Sequence, residues 1–440
     1  RKRSGGSTTR SDGGSRNAPR HPAAAEDTSA AGRTGDMKAT MTKPAPSSWR
    51  QMPAGVWLLG LVSMLMDISS EMIHSLLPLF MLTTLGASAL AIGLIEGLAE
   101  STALIVKLFS GALSDYFGKR KGLAVLGYAL GALTKPLFAV ASTTGVVLTA
   151  RLLDRVGKGI RGAPRDALVA DITPRHLRGA AFGLRQSLDT LGAFLGPLLA
   201  AGLMLLSAND FRAVFWVAAI PGLLAVALLF FGLHEPERPP AARRSNPIQR
   251  QNLKRLGVAY WWLVGIGAVF ALARFSEAFL VLRAQQGGVP LALVPLVMVA
   301  MNAVYALSAY PFGRLSDRIS HSKLLALGLI VLIAADIILA TSEHWRVVLA
   351  GVALWGVHLG ITQGLLATMV ADTAPADLRG TAYGFFSLVS GLAMLLASIL
   401  AGLLWDRFGA ASTFHAGTIF CVVALVGLAW QPAAVRRRDA

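Results

Sequence analysis

Gly111-Ala-Leu-Ser-Asp115-Tyr-Phe-Gly118-Lys119-Arg120-Lys121 lies between two long apolar segments, and about 200 residues later a weaker copy, Gly313-Arg-Leu-Ser-Asp317-Arg318, lies between two more. A second phrase repeats at nearly the same offset: Ala170-Asp171-Ile-Thr-Pro174-Arg-His-Leu177-Arg178-Gly179 and Ala371-Asp372-Thr-Ala-Pro375-Ala-Asp-Leu378-Arg379-Gly380. Matching landmarks in two halves of an apolar chain point to a duplicated membrane domain. Such duplication is common where a binding site forms between two repeats.

The composition agrees. Of 440 residues, 54% are hydrophobic and only 15% are charged, well below the usual quarter, and the mean hydropathy is +0.57. This excludes a soluble globular chain. The net charge of +17 would suit nucleic acid, but the basic residues sit in tails and short loops. That is the pattern of loops facing anionic lipid, and no nucleic-acid partner is expected. The single cysteine, Cys421, lies in the last apolar segment. It can form no intramolecular disulfide and reads as a packing residue.

Twelve helical spans are predicted, at roughly 55–82, 88–113, 122–141, 145–170, 178–206, 212–233, 257–284, 290–313, 322–341, 346–371, 379–404 and 412–431. Each is long enough to cross about 30 Å of hydrocarbon. Loops near 83–88 and 141–145 carry no Lys or Arg, whereas those near 114–121, 165–178, 234–256 and 314–323 are basic, as is the terminal Arg436-Arg437-Arg438. Alternate loops and both termini are therefore expected in the cytoplasm. Residues 1–53 form a basic tail without apolar periodicity, expected to be disordered and to hold no signal-peptide core; Met37 and Met41 are candidate translation starts. The remaining organisation reads as a six-helix bundle over 54–233, a polar linker over 234–256, a second six-helix bundle over 257–431 and a basic tail over 432–440.

The loop phrase Gly111-x-x-x-Asp115-x-x-Gly118-Lys119-Arg120-Lys121 closely resembles the signature loop of the major facilitator superfamily. In that family the loop steadies one of the alternating states, which makes Gly111, Asp115, Gly118, Lys119, Arg120 and, in the second copy, Asp317 gating candidates. Ser320 stands where the second copy would repeat its later glycine. The sequence Arg155-x-x-x-Gly159-x-x-x-Ala163 resembles the family's fourth-helix motif, whose arginine is linked to proton transfer. Gly192-x-x-x-Gly196-Pro197 resembles the fifth-helix motif associated with antiporters, although small residues at this spacing also simply let helices approach closely. The resemblance covers about 55–431. It implies an all-α polytopic membrane protein with twelve transmembrane helices in two pseudo-symmetric bundles, a multi-pass protein of the bacterial inner membrane acting as a monomer without a cofactor.

Charges inside the spans locate a cavity. A charge at a helix centre costs about 2.5–3.5 kcal/mol on insertion scales. Span 4 carries Arg151, Asp154, Arg155, Lys158, Arg161 and Arg165 on one stripe about 120° wide, which must face protein or water. Span 1 carries Asp67, Glu71 and His74 on one face, followed by Pro78, which can kink the helix. Span 2 carries Glu96 and Glu100, span 5 Arg185 and Asp189, span 7 Arg274 and Glu277, and span 10 His358 and Gln363. Asp154 with Lys158, and Asp189 with Arg185, are spaced to neutralise each other within a helix turn. In the family, spans 1, 4, 7 and 10 line the cavity. Lys135 and Asp336 fall on spans that face outward in that scheme and have no place in it.

Adjacent carboxylates repel, and apolar surroundings favour the protonated form, so Asp67 or Glu71 is expected to exchange a proton. Antiporters of the family have a similar arrangement, an acid on helix 1 with an arginine on helix 4. Asp67 is the candidate proton carrier, Glu71 the second and Arg155 the modulator. Three cargoes stay open. Proton-coupled export of a drug or metabolite follows from the acid and the fifth-helix motif. Divalent metal export follows from the O, O and N ligands of Asp67, Glu71 and His74, in a stretch similar to a subgroup that includes nickel-resistance exporters. Organic-anion transport follows from Arg151, Arg155 and Lys158. A membrane transceptor is a further alternative. No nucleophile elbow, phosphate loop or metalloprotease motif is present, so no enzyme activity is expected.

Overall fold

The computed structural model describes residues 51–117, 120–234, 255–316, 318–362, 364–375 and 378–430. Every regular element among them is helical. The long helices are α1 (Ala54–Thr84), α2 (Ala89–Phe117), α3 (Arg120–Val140), α4 (Thr144–Ile172), α5 (Arg178–Leu206), α6 (Phe211–Gly232), α7 (Val258–Gln286), α8 (Pro295–Ser316), α9 (His321–Thr341), α10 (Trp345–Thr373), α11 (Arg379–Phe408) and α12 (Ala410–Ala429). Eleven are long and apolar enough to cross a membrane; the exception is α4, whose charged stripe lowers its hydropathy. A helix of that composition is stable in a bilayer only if the protein neutralises its stripe.

Local chemistry sets several helix ends. The Thr143 hydroxyl accepts from the Val146 N–H at the start of α4, and the Asp210 carboxylate accepts from the Arg212 and Ala213 N–H groups at the start of α6. The orphan carbonyls where α3 ends are met by Arg212, which donates to Ala139 O and Ala141 O at 2.8 and 2.7 Å. Arg283 serves the end of α9 in the same way, donating to Leu339 O and Ser342 O at 2.8 and 2.6 Å.

Three helices are broken. α1 stops at His74 and restarts at Leu77 with Pro78 in its first turn, closing with a π turn at Phe80–Thr84. The missing proline N–H accounts for that break. α7 stops at Ala273, leaves helical geometry at Arg274 (φ −110°, ψ 78°) and restarts at Ala278, whose N–H is accepted by the Ser276 hydroxyl. α10 breaks at Gly364, where φ is +77°, a conformation that favours glycine.

Helices α1–α6 pack mainly on one another, as do α7–α12, and the two groups meet along α2–α11 and α5–α8. Within each group the repeated phrases touch. Arg120 at the start of α3 pairs with Asp171 near the end of α4 at 2.8 Å, and at the matching positions His321 lies 3.5 Å from Asp372. The groups close tightly at one end, where Gly402 of α11 lies against Ala89 and Leu90, and Gly93 of α2 lies against Ser398. There the Asp406 carboxylate accepts from the Ala89 and Leu90 N–H groups, both at 2.9 Å. The expected tails and linker fall almost entirely outside the described residues, as do Gly118, Lys119, Asp317, Gln363 and the Asp115 side chain; Gly111 lies on the backbone of α2.

Candidate substrate cavity

The break in α1 leaves Glu71 and His74 facing the charged stripe of α4. Arg151 reaches α2, with its guanidinium 2.5 Å from Glu96, and Arg155 lies 3.3 Å from Glu100. Both arginines also touch the His74 ring. Asp154 turns the other way and takes Lys135 of α3 at 2.8 Å, where Lys135 is fully buried and also donates to Ser70 Oγ at 3.1 Å. His74 lies 3.6 Å from Glu71 and 3.7 Å from Asp154. A buried charge in such a cluster is tolerable because each has an opposite charge within bonding reach.

The cluster opens into a cavity of about 300 Å³. Its first wall is Glu71, His74, Glu100, Arg155 and Lys158; the second half contributes Arg274, Phe275, Glu277 and Trp355. Arg274 and Glu277 sit in the break of α7, where the chain leaves the helix. Arg274 lies over the Phe270 ring at 5.6 Å, and neither residue has an ion pair among the described residues.

A second cavity of about 400 Å³ shares Glu71, Glu100 and Lys158 with the first and continues away from the closed end. Asp67, Arg161, Arg165 and Asp189 line it, with Asn302 and Tyr305 from α8. Lys158 sits in the middle of α4 yet is exposed, so the joined tract is open to water. Here Asp189 takes Arg185 at 2.9 Å and Arg165 at 3.7 Å, and Arg165 also bonds Ser63 at 2.5 Å. Arg161 lies over the Tyr128 ring at 4.9 Å. Asp67 and Lys158 have neither a hydrogen bond nor an ion pair among the described residues. The small residues of the fifth-helix motif press α5 onto this stretch of α1. A side chain at Gly192 would meet Met64 O at 2.7 Å and Asp67 Cβ at 3.0 Å, and one at Gly196 would meet Glu71 Cβ at 2.7 Å.

The structure therefore brings together Asp67, Glu71, His74, Glu96, Glu100, Arg151, Arg155, Lys158, Asp189, Arg274 and Glu277 along one tract. Asp154 lies behind it on Lys135, not on Lys158, and Arg185 is held beside it by Asp189 and Asp166. His358 lies outside both cavities, fully buried, with its Nδ1 2.8 Å from Gly328 O and its ring beside Phe270 and Trp355. Sequence reasoning left Lys135 unplaced because its partner is on another helix. It also passed over the wall residues Phe275 and Trp355 and the contact of Asp406 across the halves, since aromatics and a helix-end aspartate carry no distinctive spacing. Among the described residues no three His, Cys, Asp or Glu side chains converge as a metal-holding group.

The family model of the Major Facilitator Superfamily matches residues 59–286 and 269–440. The chain belongs to that superfamily. It is 34% identical over 381 residues to the uncharacterized MFS-type transporter MJ1317 of Methanocaldococcus jannaschii, covering 85% of this chain and 94% of the relative. It is 25% identical to the multidrug resistance protein MdtH of Yersinia enterocolitica, over 86% of this chain and 94% of MdtH. Among solved structures it resembles a bacterial homolog of the human lysosomal transporter Spinster in an inward-facing and occupied conformation, with a TM-score of 0.72 and 17% identity over 90% of this chain and 98% of that one. The protein is thus a multi-pass membrane transporter with the superfamily's all-α fold and not an enzyme; the residues above are its candidate cavity.

Proposed function

We propose that this transporter is a proton-coupled antiporter that exports a small organic compound, a drug or metabolite, by alternating access. The observation that carries this reading is Asp67. It is a carboxyl without a hydrogen-bond or ion-pair partner among the described residues, in a wet cavity beside Lys158, Arg161 and Arg165. A carboxyl in that position can take up a proton when the tract is open and release it when a substrate or a cation moves close. Glu71, one turn further and paired with His74, is the second candidate, and Arg155 tunes both through Glu100 and His74. The closed-end loops lack Lys and Arg while the opposite loops are basic, which supports an inner-membrane orientation with both termini and the open end in the cytoplasm. The similarity to a multidrug resistance protein accords with export.

The cavity's charges bear on the cargo. Arg151 and Arg155 are already matched by Glu96 and Glu100, so a site for a multiply charged anion is not supported. The remaining unpaired lysine, Lys158, keeps a monocarboxylate as a second reading. Metal export draws no support, because two arginines occupy the His74 ring.

The test is uptake and efflux in an efflux-deficient bacterium expressing the wild type or Asp67→Asn, with a panel of lipophilic cations, amino-acid-like zwitterions and monocarboxylates. Expected is lower accumulation of at least one compound with wild type, lost on adding a protonophore and lost in Asp67→Asn. Full gradient-driven export by Asp67→Asn would overturn the assignment of Asp67.

A further inference from the structure

One buried acid takes no part in the tract. Asp336, in the middle of α9, is 0% exposed, and neither of its carboxyl oxygens has a hydrogen-bond partner among the described residues. Its surroundings are apolar. A Cβ built on Gly417 of α12 would stand 2.5 Å from Asp336 Oδ2 and 3.3 Å from Phe275 Cε1, so the three meet at one point. The titratable groups on the packed elements are Cys421 and His415 on α12, Arg346, His358 and Asp372 on α10, and Arg274 and Glu277 at the break of α7; among the described residues none makes an ion pair with Asp336. His358 uses its Nδ1 on Gly328 O.

The duplication sharpens the observation. The register that carries Asp171 onto Asp372 carries Lys135 onto Asp336 and Asp154 onto Trp355. In the first half those two positions hold an ion pair. In the second half they hold an acid and an indole whose Nε1–H is buried without an acceptor among the described residues. An ionised carboxylate with no donor inside a helix bundle is expensive, whereas a neutral acid is tolerated and can share its O–H with a carbonyl of its own helix. Phe275 and Trp355, with ring centroids 5.3 Å apart, both line the first cavity. Phe275 thus reaches both the Gly417–Asp336 point and the cavity, with Trp355 packed on it.

We propose that Asp336 is a proton-binding site of the second half, occupied in this closed-end state and separated from the substrate cavity by the Phe275–Trp355 wall. The proton enters from cavity water when that wall moves, converts the carboxylate to the acid, and leaves by the same route. Phe275 directly follows Arg274, where α7 leaves the helix, so a rearrangement of that break shifts the wall first. The site is independent of Asp67 and of any choice of cargo.

The test is infrared spectroscopy of the full chain reconstituted in lipid at neutral pH, comparing wild type with Asp336→Asn, Asp67→Asn and Phe275→Ala. Expected is a carboxylic-acid C=O component that disappears in Asp336→Asn and stays in Asp67→Asn. In deuterium oxide that component should shift slowly in wild type and faster in Phe275→Ala. Should Asp336→Asn fail to fold, Asp336→Glu is expected to move the component instead of deleting it. An acid band unchanged by substitution at position 336 overturns the proton site. An exchange rate unchanged by Phe275→Ala overturns the wall. Loss of the component only in Asp67→Asn would leave the Asp67 reading standing and remove this one.

Discussion

The two halves of this transporter share a set of sequence landmarks but solve the problem of charge in a membrane differently. In the first half, α4 carries a stripe of cations in which Arg151 and Arg155 meet Glu96 and Glu100 of α2 at 2.5 and 3.3 Å, while Asp154 of the same helix takes Lys135 of α3 at 2.8 Å. In the second half the matching helix, α10, carries no such stripe. The cavity face of this half sets the rings of Phe275 and Trp355 beside Arg274 and Glu277, and Asp336 and the Trp355 indole N–H are buried without hydrogen-bond partners among the described residues. A paired charge fixes a structure, because separating the ions costs more than the pair gained. An unpaired group can change protonation or partner when the packing around it changes. The paired charges of the first half thus frame the cavity, with Asp67 and Lys158 left unpaired inside that frame among the described residues, and the second half faces it with the break at Arg274 and the rings of Phe275 and Trp355.

The largest effect should come from breaking that frame. Asp154→Asn leaves the Lys135 ammonium buried with only Ser70 beside it and is expected to destabilise the protein by about 3–5 kcal/mol. The double change Lys135→Leu with Asp154→Leu should recover most of that loss, since an apolar pair of similar volume is often neutral. Thermal unfolding in detergent, read as a double-mutant cycle, checks both. A single-variant loss below about 1 kcal/mol would show that the pair is not what holds α3 to α4.

A smaller effect is expected at the closed end, where the halves touch. Asp406 of α11 places a carboxylate on two free N–H groups at the start of α2, the arrangement that a helix N-terminus favours. Asp406→Asn removes the charge and should cost about 1 kcal/mol of the closed state, about fivefold in its population. Spin labels at Thr84→Cys and Phe408→Cys in a Cys421→Ala background report the distance across that end. A distribution unmoved by Asp406→Asn would mean the contact follows closure without stabilising it.

Much of this was legible in the sequence, because hydropathy and loop charge act locally. All twelve spans and the kink at Pro78 follow from residues read in order, and the stripe on α4 follows from helical periodicity alone. The cavity was half legible: spacing put Asp67, Glu71 and His74 on one face and gave Arg185 its partner, Asp189. Spacing could not pair Asp154, for which a neighbour on its own helix, Lys158, looked sufficient; the actual partner is on α3, brought there by the Gly127–Gly157 contact between the two backbones. Nor could it show that α7 breaks at Arg274. No proline marks that position, and the break is supported by tertiary packing and the Ser276 cap.

The smallest stability effect should be at Asp336, and that smallness is informative. Both Asp154 and Asp336 are aspartates buried in the membrane interior, at 1% and 0% exposure. If burial alone decided the outcome, neutralising either would act alike. The partners differ, however: Asp154 balances a lysine, whereas Asp336 has no ion-pair partner among the described residues. Asp336→Asn exchanges one neutral polar group for another of the same shape and should change thermal stability by less than about 1 kcal/mol. Measured in one detergent series with Asp154→Asn, the two losses should differ by more than about 2 kcal/mol. A loss at position 336 as large as that at 154 would mean that Asp336 is ionised and matched by a cation, and the contrast between the paired Asp154 and the unpaired Asp336 would then fail.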